Sequence, residues 1–148
     1  MAKPKEELLL VDGYNVIFAD SELSSLAREN YDAARGKLID MLSDYQGTRS
    51  GPLWVVFDAY KVKGGVEHAE DYLNIRVVYT KENQTADMFI EKTVHEMRKQ
   101  YDITVATSDG LEQIVSRGQG ARMISSRELL RLMAETREDL RRTHMTES

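Results

Sequence analysis

Five short apolar runs constrain this chain more than any other feature of it. They are 8–11 (LLLV), 53–57 (LWVVF), 75–79 (IRVVY), 103–107 (ITVAT) and, more weakly, 121–124 (ARMI). Each holds four or five residues, with little polar alternation. Runs of this kind suit strands that are covered on both faces. Helical periodicity fills most of the intervals. Residues 31–46 place Ala34, Leu38, Leu42 and Tyr45 on one stripe, with Gly47 as a stop. Residues 85–101 place Ala86, Ile90, Val94, Met97 and Tyr101 on another, behind Thr85 as N-cap. A short helix is predicted over 111–117, ending at Gly118. Ser125 and Glu128 form a capping-box pattern that opens a last helix to about residue 142, with Leu129, Met133, Thr136 and Leu140 in register. Residues 59–74 show no clear element, which places His68 in a loop. Strands alternating with helices predict an α/β fold: a central parallel sheet of about four or five strands, helices on both faces and right-handed crossovers. One domain is expected over 7–142, with flexible ends at 1–6 and 143–148.

In such sheets ligands bind beyond the carboxyl ends of the strands, so acids there carry weight. Asp12 ends the first run and Asp58 follows the second; Asp109 lies just past the fourth; Asp87 falls in the first turn of the helix after the third. Four carboxylates from separated parts of the chain are thus expected at one edge. Packed together they repel, and a divalent cation removes the repulsion. Each acid also has an ordinary structural use. Asp12-Gly13 suits a turn, Asp87 suits a helix dipole, and Ser108 or Asp109 suits the cap of the helix from Leu111. Glu91, four residues after Asp87 on the same helical face, suits an outer ligand but better a surface acid, and Glu82 in the loop before that helix is open in the same way.

Composition narrows the chemistry. There is no cysteine, which removes disulfides, thiolate metal sites and cysteine nucleophiles, and fits a reducing cytoplasm. Carboxylates without thiolates favour Mg2+ or Mn2+ over zinc. The three histidines are scattered, and His95 falls on the exposed side of its helix. No nucleophile elbow, phosphate-binding loop or dinucleotide fingerprint is present. Nor is there an apolar run long enough for a membrane span. The net charge of −5 argues against a general basic coat for nucleic acid. Metal-assisted phosphodiester hydrolysis is the reaction these positions suggest.

The ordered set of motifs also resembles a family. Asp12-Gly13-Tyr14-Asn15 after LLLV looks like the opening motif of NYN domains, nucleases of the PIN-like fold. VVFDA at 55–59, Thr85-Ala86-Asp87 and Thr107-Ser108-Asp109 follow in the family's order. KENQTAD at 81–87 is similar to the bacterial YacP-like branch, which includes a ribosome-associated endonuclease that cuts messenger RNA. The resemblance spans about residues 7–142 and implies a metal-dependent endoribonuclease. It implies Asp12, Asp58, Asp87 and Asp109 as carboxylate ligands for Mg2+ or Mn2+, with Asn15 lining the site and orienting Asp12 or a water. The wider PIN pattern has a helical glutamate as its second acid; here that role falls to Asp58 or to another acid.

By the same resemblance the partners are RNA, in particular messenger RNA, and the ribosome. Tyr60, Lys61 and Lys63 beside Gly64-Gly65 suit stacking on unpaired bases and contact with phosphates. Arg117, Arg122, Arg127 and Arg131 form a second basic set. Two other classes compete. One is a non-catalytic RNA- or ribosome-binding module of the same fold. The other is a receiver-type phosphoacceptor, which wants paired acids after the first strand, where this chain has Gly13-Tyr14-Asn15 after Asp12. Leu23, Leu26 and Leu132 suit either a core or a partner, which leaves the oligomeric state open.

Overall fold

A computed structural model describes residues 4–58 and 67–146. Its strands are β1 (Glu7–Asp12), β2 (Leu53–Phe57), β3 (His68–Tyr72), β4 (Ile75–Tyr79), β5 (Asp102–Ala106) and β6 (Arg122–Ile124). Its helices are α1 (Gly13–Ala19), α2 (Ser21–Glu29), α3 (Tyr31–Gln46), α4 (Ala86–Met97), α5 (Gly110–Gly118) and α6 (Ser126–Thr146). The strands form one sheet in the order β3-β4-β2-β1-β5-β6. All neighbours are parallel except β3 with β4.

The central strand shows why uninterrupted apolar runs were required. Leu9 and Val11 of β1 face one side of the sheet; Leu8 and Leu10 face the other. On the first side they join Leu53, Val55, Phe57, Ile75 and Val77, packed beneath α1, α2, α3 and α6. On the second they join Val56, Val78, Ile103 and Val105 beneath Ile90 and Val94 of α4. Each fully buried Leu or Val contributes about 1.5–3 kcal/mol, so both layers stabilise the sheet. Leu23 belongs to the core, while Leu26 and Leu132 are half-buried. Two glycines permit close approach. At Gly13, which opens α1, a Cβ would lie 2.3 Å from the Phe57 ring. At Gly51, with φ +88°, a Cβ would lie 2.2 Å from the Glu7 carbonyl oxygen.

The sheet therefore has six strands, more than the four or five expected. The addition is β3, inside the segment read as a loop, and it places His68 on a strand stacked at 4.7 Å on the Tyr79 ring. Its sequence, HAEDY, is exposed throughout, so it has no apolar pattern to read. Charges on an edge strand also discourage pairing with a second sheet. It reaches β4 through Leu73, at φ 54°, in a tight hairpin. Helices α1 and α2 were not anticipated either: α1 is seven residues of mostly apolar sequence, and α2 buries only Leu23 and Ala27. Helix α4 stops at Met97 rather than 101. Helix α6 continues to Thr146, past the boundary expected at 142, and Leu140 is exposed where a core position was expected. Tyr60, Lys61 and Lys63 lie outside the described residues. No helix among the described residues is long and apolar enough to cross a membrane.

Candidate metal centre at the carboxyl edge

The chain runs from β1 to β2 and β4 on one side, then returns to place β5 on the other side of β1. The strand order thus reverses between β1 and β5, which is where a crevice opens beyond the carboxyl ends in this class of sheet. Asp12 ends β1 there, buried, and caps α1: its Oδ1 accepts the Asn15 N–H at 3.5 Å. Its Oδ2 accepts the Thr107 hydroxyl, from just past β5, at 3.3 Å. Asp87 enters from the first turn of α4.

The third acid is Glu112, in the first turn of α5. One carboxylate oxygen from each of Asp12, Asp87 and Glu112 lies within 4.8 Å of the other two. Glu112 is only 1% exposed, and among the described residues neither of its oxygens receives a hydrogen bond. Burial, followed by bonding to Asp87 and the charges of Asp12 and Asp87, pushes the Glu112 carboxyl up to about 10. Burial likewise pushes Asp12 up to about 6, assisted by the charges of Asp87 and Asp58 and opposed by hydrogen bonds from Glu112 and Asn15. Alone, then, the three acids hold a proton that an ordinary carboxyl would lose at neutral pH. Two oxygens on one Mg2+ or Mn2+ are separated by at most about 4.2 Å, given bonds of about 2.1 Å. Three oxygens cannot all sit opposite one another, so the group must draw in from its 4.8 Å spacing to share one ion; its all-oxygen donors suit a hard cation.

Two of the four aspartates expected as ligands thus stand together, and the other two border them. Asp58 Oδ1 accepts the Ala86 N–H at 2.5 Å, which ties β2 to the start of α4 and so fixes Asp87. Asp109 caps α5, accepting the N–H groups of Leu111 at 3.0 Å and Glu112 at 3.2 Å. Its own N–H donates to Thr107 Oγ1 at 3.1 Å, so one threonine hydroxyl links the α5 cap to Asp12. Asn15 Oδ1 accepts the Ser108 N–H at 2.8 Å and the Ser126 hydroxyl at 2.5 Å, clamping α1, the loop after β5 and the start of α6 together. Arg117 and Arg122 are exposed and line a groove beside β6 with Glu7 and Tyr45. Arg117 lies in the last turn of α5 and Arg122 opens β6, so both sit toward the amino edge, away from the acids.

Sequence reasoning missed Glu112, yet a signal was present. Helix α5 is inverted: Leu111 and Ile114 are 72% and 69% exposed, while Glu112 and Ser116, four residues apart, are buried. Here the helix turns its polar stripe inward, and the buried acid is the feature to explain.

The YacP-like NYN domain model matches residues 9–148. The chain belongs to the YacP-like NYN domain family. It is 44% identical over 126 residues to the uncharacterized protein YacP of Bacillus subtilis strain 168, covering 84% of this chain and 74% of that protein. Its fold is similar to crystal structures of Rae1 (YacP) from Bacillus subtilis. For the W164L mutant the TM-score is 0.82 at 36% identity, covering 96% of this chain and 85% of the other. For a second Rae1 structure it is 0.81 at 39% identity, covering 94% and 80%. NYN domains are a nuclease-type family that generally uses divalent metals, and the acidic group at the carboxyl edge has the composition such a metal needs.

Proposed function

We propose that this NYN domain is a metal-dependent endoribonuclease that hydrolyses phosphodiester bonds of single-stranded RNA. One observation carries the reading: Glu112, buried and, among the described residues, without a hydrogen-bond donor, points its carboxylate at those of Asp12 and Asp87. Two buried carboxyls and a half-buried one crowded together are unfavourable unless a cation or a proton joins them.

In this reading Asp12, Asp87 and Glu112 hold Mg2+ or Mn2+. When bound, such an ion polarises a phosphoryl oxygen and lowers the pKa of water. The protein supplies the rest through placement. Asp58 anchors the start of α4 and Asp109 the start of α5, which hold Asp87 and Glu112 at the end of β1. Thr107 keeps Asp12 aimed by donating to its Oδ2. Asn15 spends its carbonyl oxygen on Ser108 and Ser126, which settles the orientation of its amide and leaves Nδ2 as a donor. Messenger RNA as substrate, the ribosome as platform and the cytoplasm as location rest on the resemblance to the YacP-like branch.

The test is cleavage of single-stranded RNA with Mn2+ or Mg2+, on free RNA and on translating ribosomes, comparing wild type with Asp12→Asn. Cleavage that needs the metal and vanishes in Asp12→Asn is expected. Ribosome binding without cleavage on either substrate would overturn the reading in favour of a non-catalytic module.

A further inference from the structure

Helix α6 begins at the candidate site. The Ser126 hydroxyl donates to Asn15 Oδ1 at 2.5 Å, its N–H donates to Ser108 Oγ at 3.1 Å, and the Asn15 N–H reaches Asp12 Oδ1. The next residue is Arg127, which is exposed and, among the described residues, forms neither an ion pair nor a side-chain hydrogen bond. One turn further, Arg131 is held by both Glu128 and Glu135. Arg127 thus differs from its neighbour in having its whole guanidinium uncommitted. It also stands where a cation is least welcome, since the first turn of a helix carries the positive end of the dipole. Among the described residues no ion pair or side-chain hydrogen bond of Arg127 offsets that cost.

Outside the chain something does. A single divalent ion leaves three carboxylates with excess negative charge, and Asp58 and Asp109 stand beside them. RNA backbone approaching that edge is repelled unless a fixed cation flanks the acids. Guanidinium matches phosphate with two parallel hydrogen bonds and stays charged throughout. We propose that Arg127 binds an RNA backbone phosphate next to the one cleaved, seating the strand across the acidic group. This rests on the nuclease reading for its substrate, yet it is a contact of its own.

Binding of a short single-stranded RNA is measured across a salt series in the Asp12→Asn background, so that nothing is cut, and KM and kcat are measured with Asp12 intact. Arg127→Ala is expected to raise Kd and KM about five- to tenfold, lower the salt slope by about 0.7 and leave kcat within about threefold. Arg127→Lys restores the slope and part of the affinity. Arg131→Ala removes the same charge from the same helix and changes neither. If Arg127→Ala behaves like Arg131→Ala, or the parent binds no RNA at low salt, the contact is overturned. A protein that shows the Arg127-dependent slope but never cuts RNA would keep the contact and overturn the nuclease reading. Cleavage with a KM indifferent to Arg127→Ala would do the reverse.

Discussion

Glu112→Gln keeps the shape of the side chain and removes its charge. Without metal, burial and the neighbouring aspartates push Glu112 up to about 10, and Asp12 reaches about 6. At about pH 7.5 Glu112 therefore holds its proton, while Asp12 has lost nearly all of its own. An ion that takes Glu112 as a ligand must displace that proton. Wild type should then release about one proton per Mn2+, and its apparent affinity should climb about tenfold per pH unit between about pH 7 and 9. The glutamine variant has no such proton. Its affinity should drop at least about tenfold and stay flat over the same range. Calorimetric titration with Mn2+ in two buffers of different ionisation enthalpy counts the protons directly. Thermal unfolding gives a second reading. Mn2+ at a hundred times the wild-type Kd stabilises wild type by about 2.7 kcal/mol, and a variant bound tenfold more weakly by about 1.4. For a domain of this size each kcal/mol moves Tm by roughly 2–4 °C. Equal proton release and equal Tm gain in the two proteins would refute Glu112 as a ligand.

The remaining predictions concern stability. The folded-state value of Asp12 lies above its ordinary one, so the metal-free protein loses stability as pH rises from about 4 through 6, and the loss is complete above. Asp12→Asn should abolish cleavage yet raise the metal-free stability at neutral pH by about 2–3 kcal/mol, seen as a higher Tm, with little gain at about pH 4; a fall in Tm at neutral pH would contradict the burial argument. Gly13→Ala should cost about 1–3 kcal/mol by denaturant unfolding, because its Cβ would meet the Phe57 ring at 2.3 Å. A neutral result would show that Phe57 yields freely.

The sequence disclosed those parts of the fold whose pattern follows from two-sided burial. The five apolar runs became five parallel strands, and Thr85 and Ser125 cap their helices as read, accepting the N–H groups of Met88 and Glu128. Hidden elements were those stabilised by something other than an apolar stripe. Strand β3 is held by ladder bonds to β4 with every residue exposed, so its signal was only pairing. The site followed the same division. Asp12 and Asp87 were legible because a strand end and a helix start fix where they point. Glu112 was not, because α5 buries its polar side. Asp109 showed its cap in the sequence, and that cap is what the structure displays. Asn15 was expected to line the site and orient Asp12 or a water. Its Oδ1 accepts from Ser108 and Ser126, partners about a hundred residues distant that no local pattern announces.

The claim beneath all of this is that Asp12, Asp87 and Glu112 share one divalent ion. Crystals grown with Mn2+ test it through the anomalous signal of the metal. The account predicts a manganese peak bonded to one oxygen of each of the three residues, at about 2.2 Å. A peak seated instead on Asp58 or Asp109 alone, or no peak at saturating Mn2+, would contradict it.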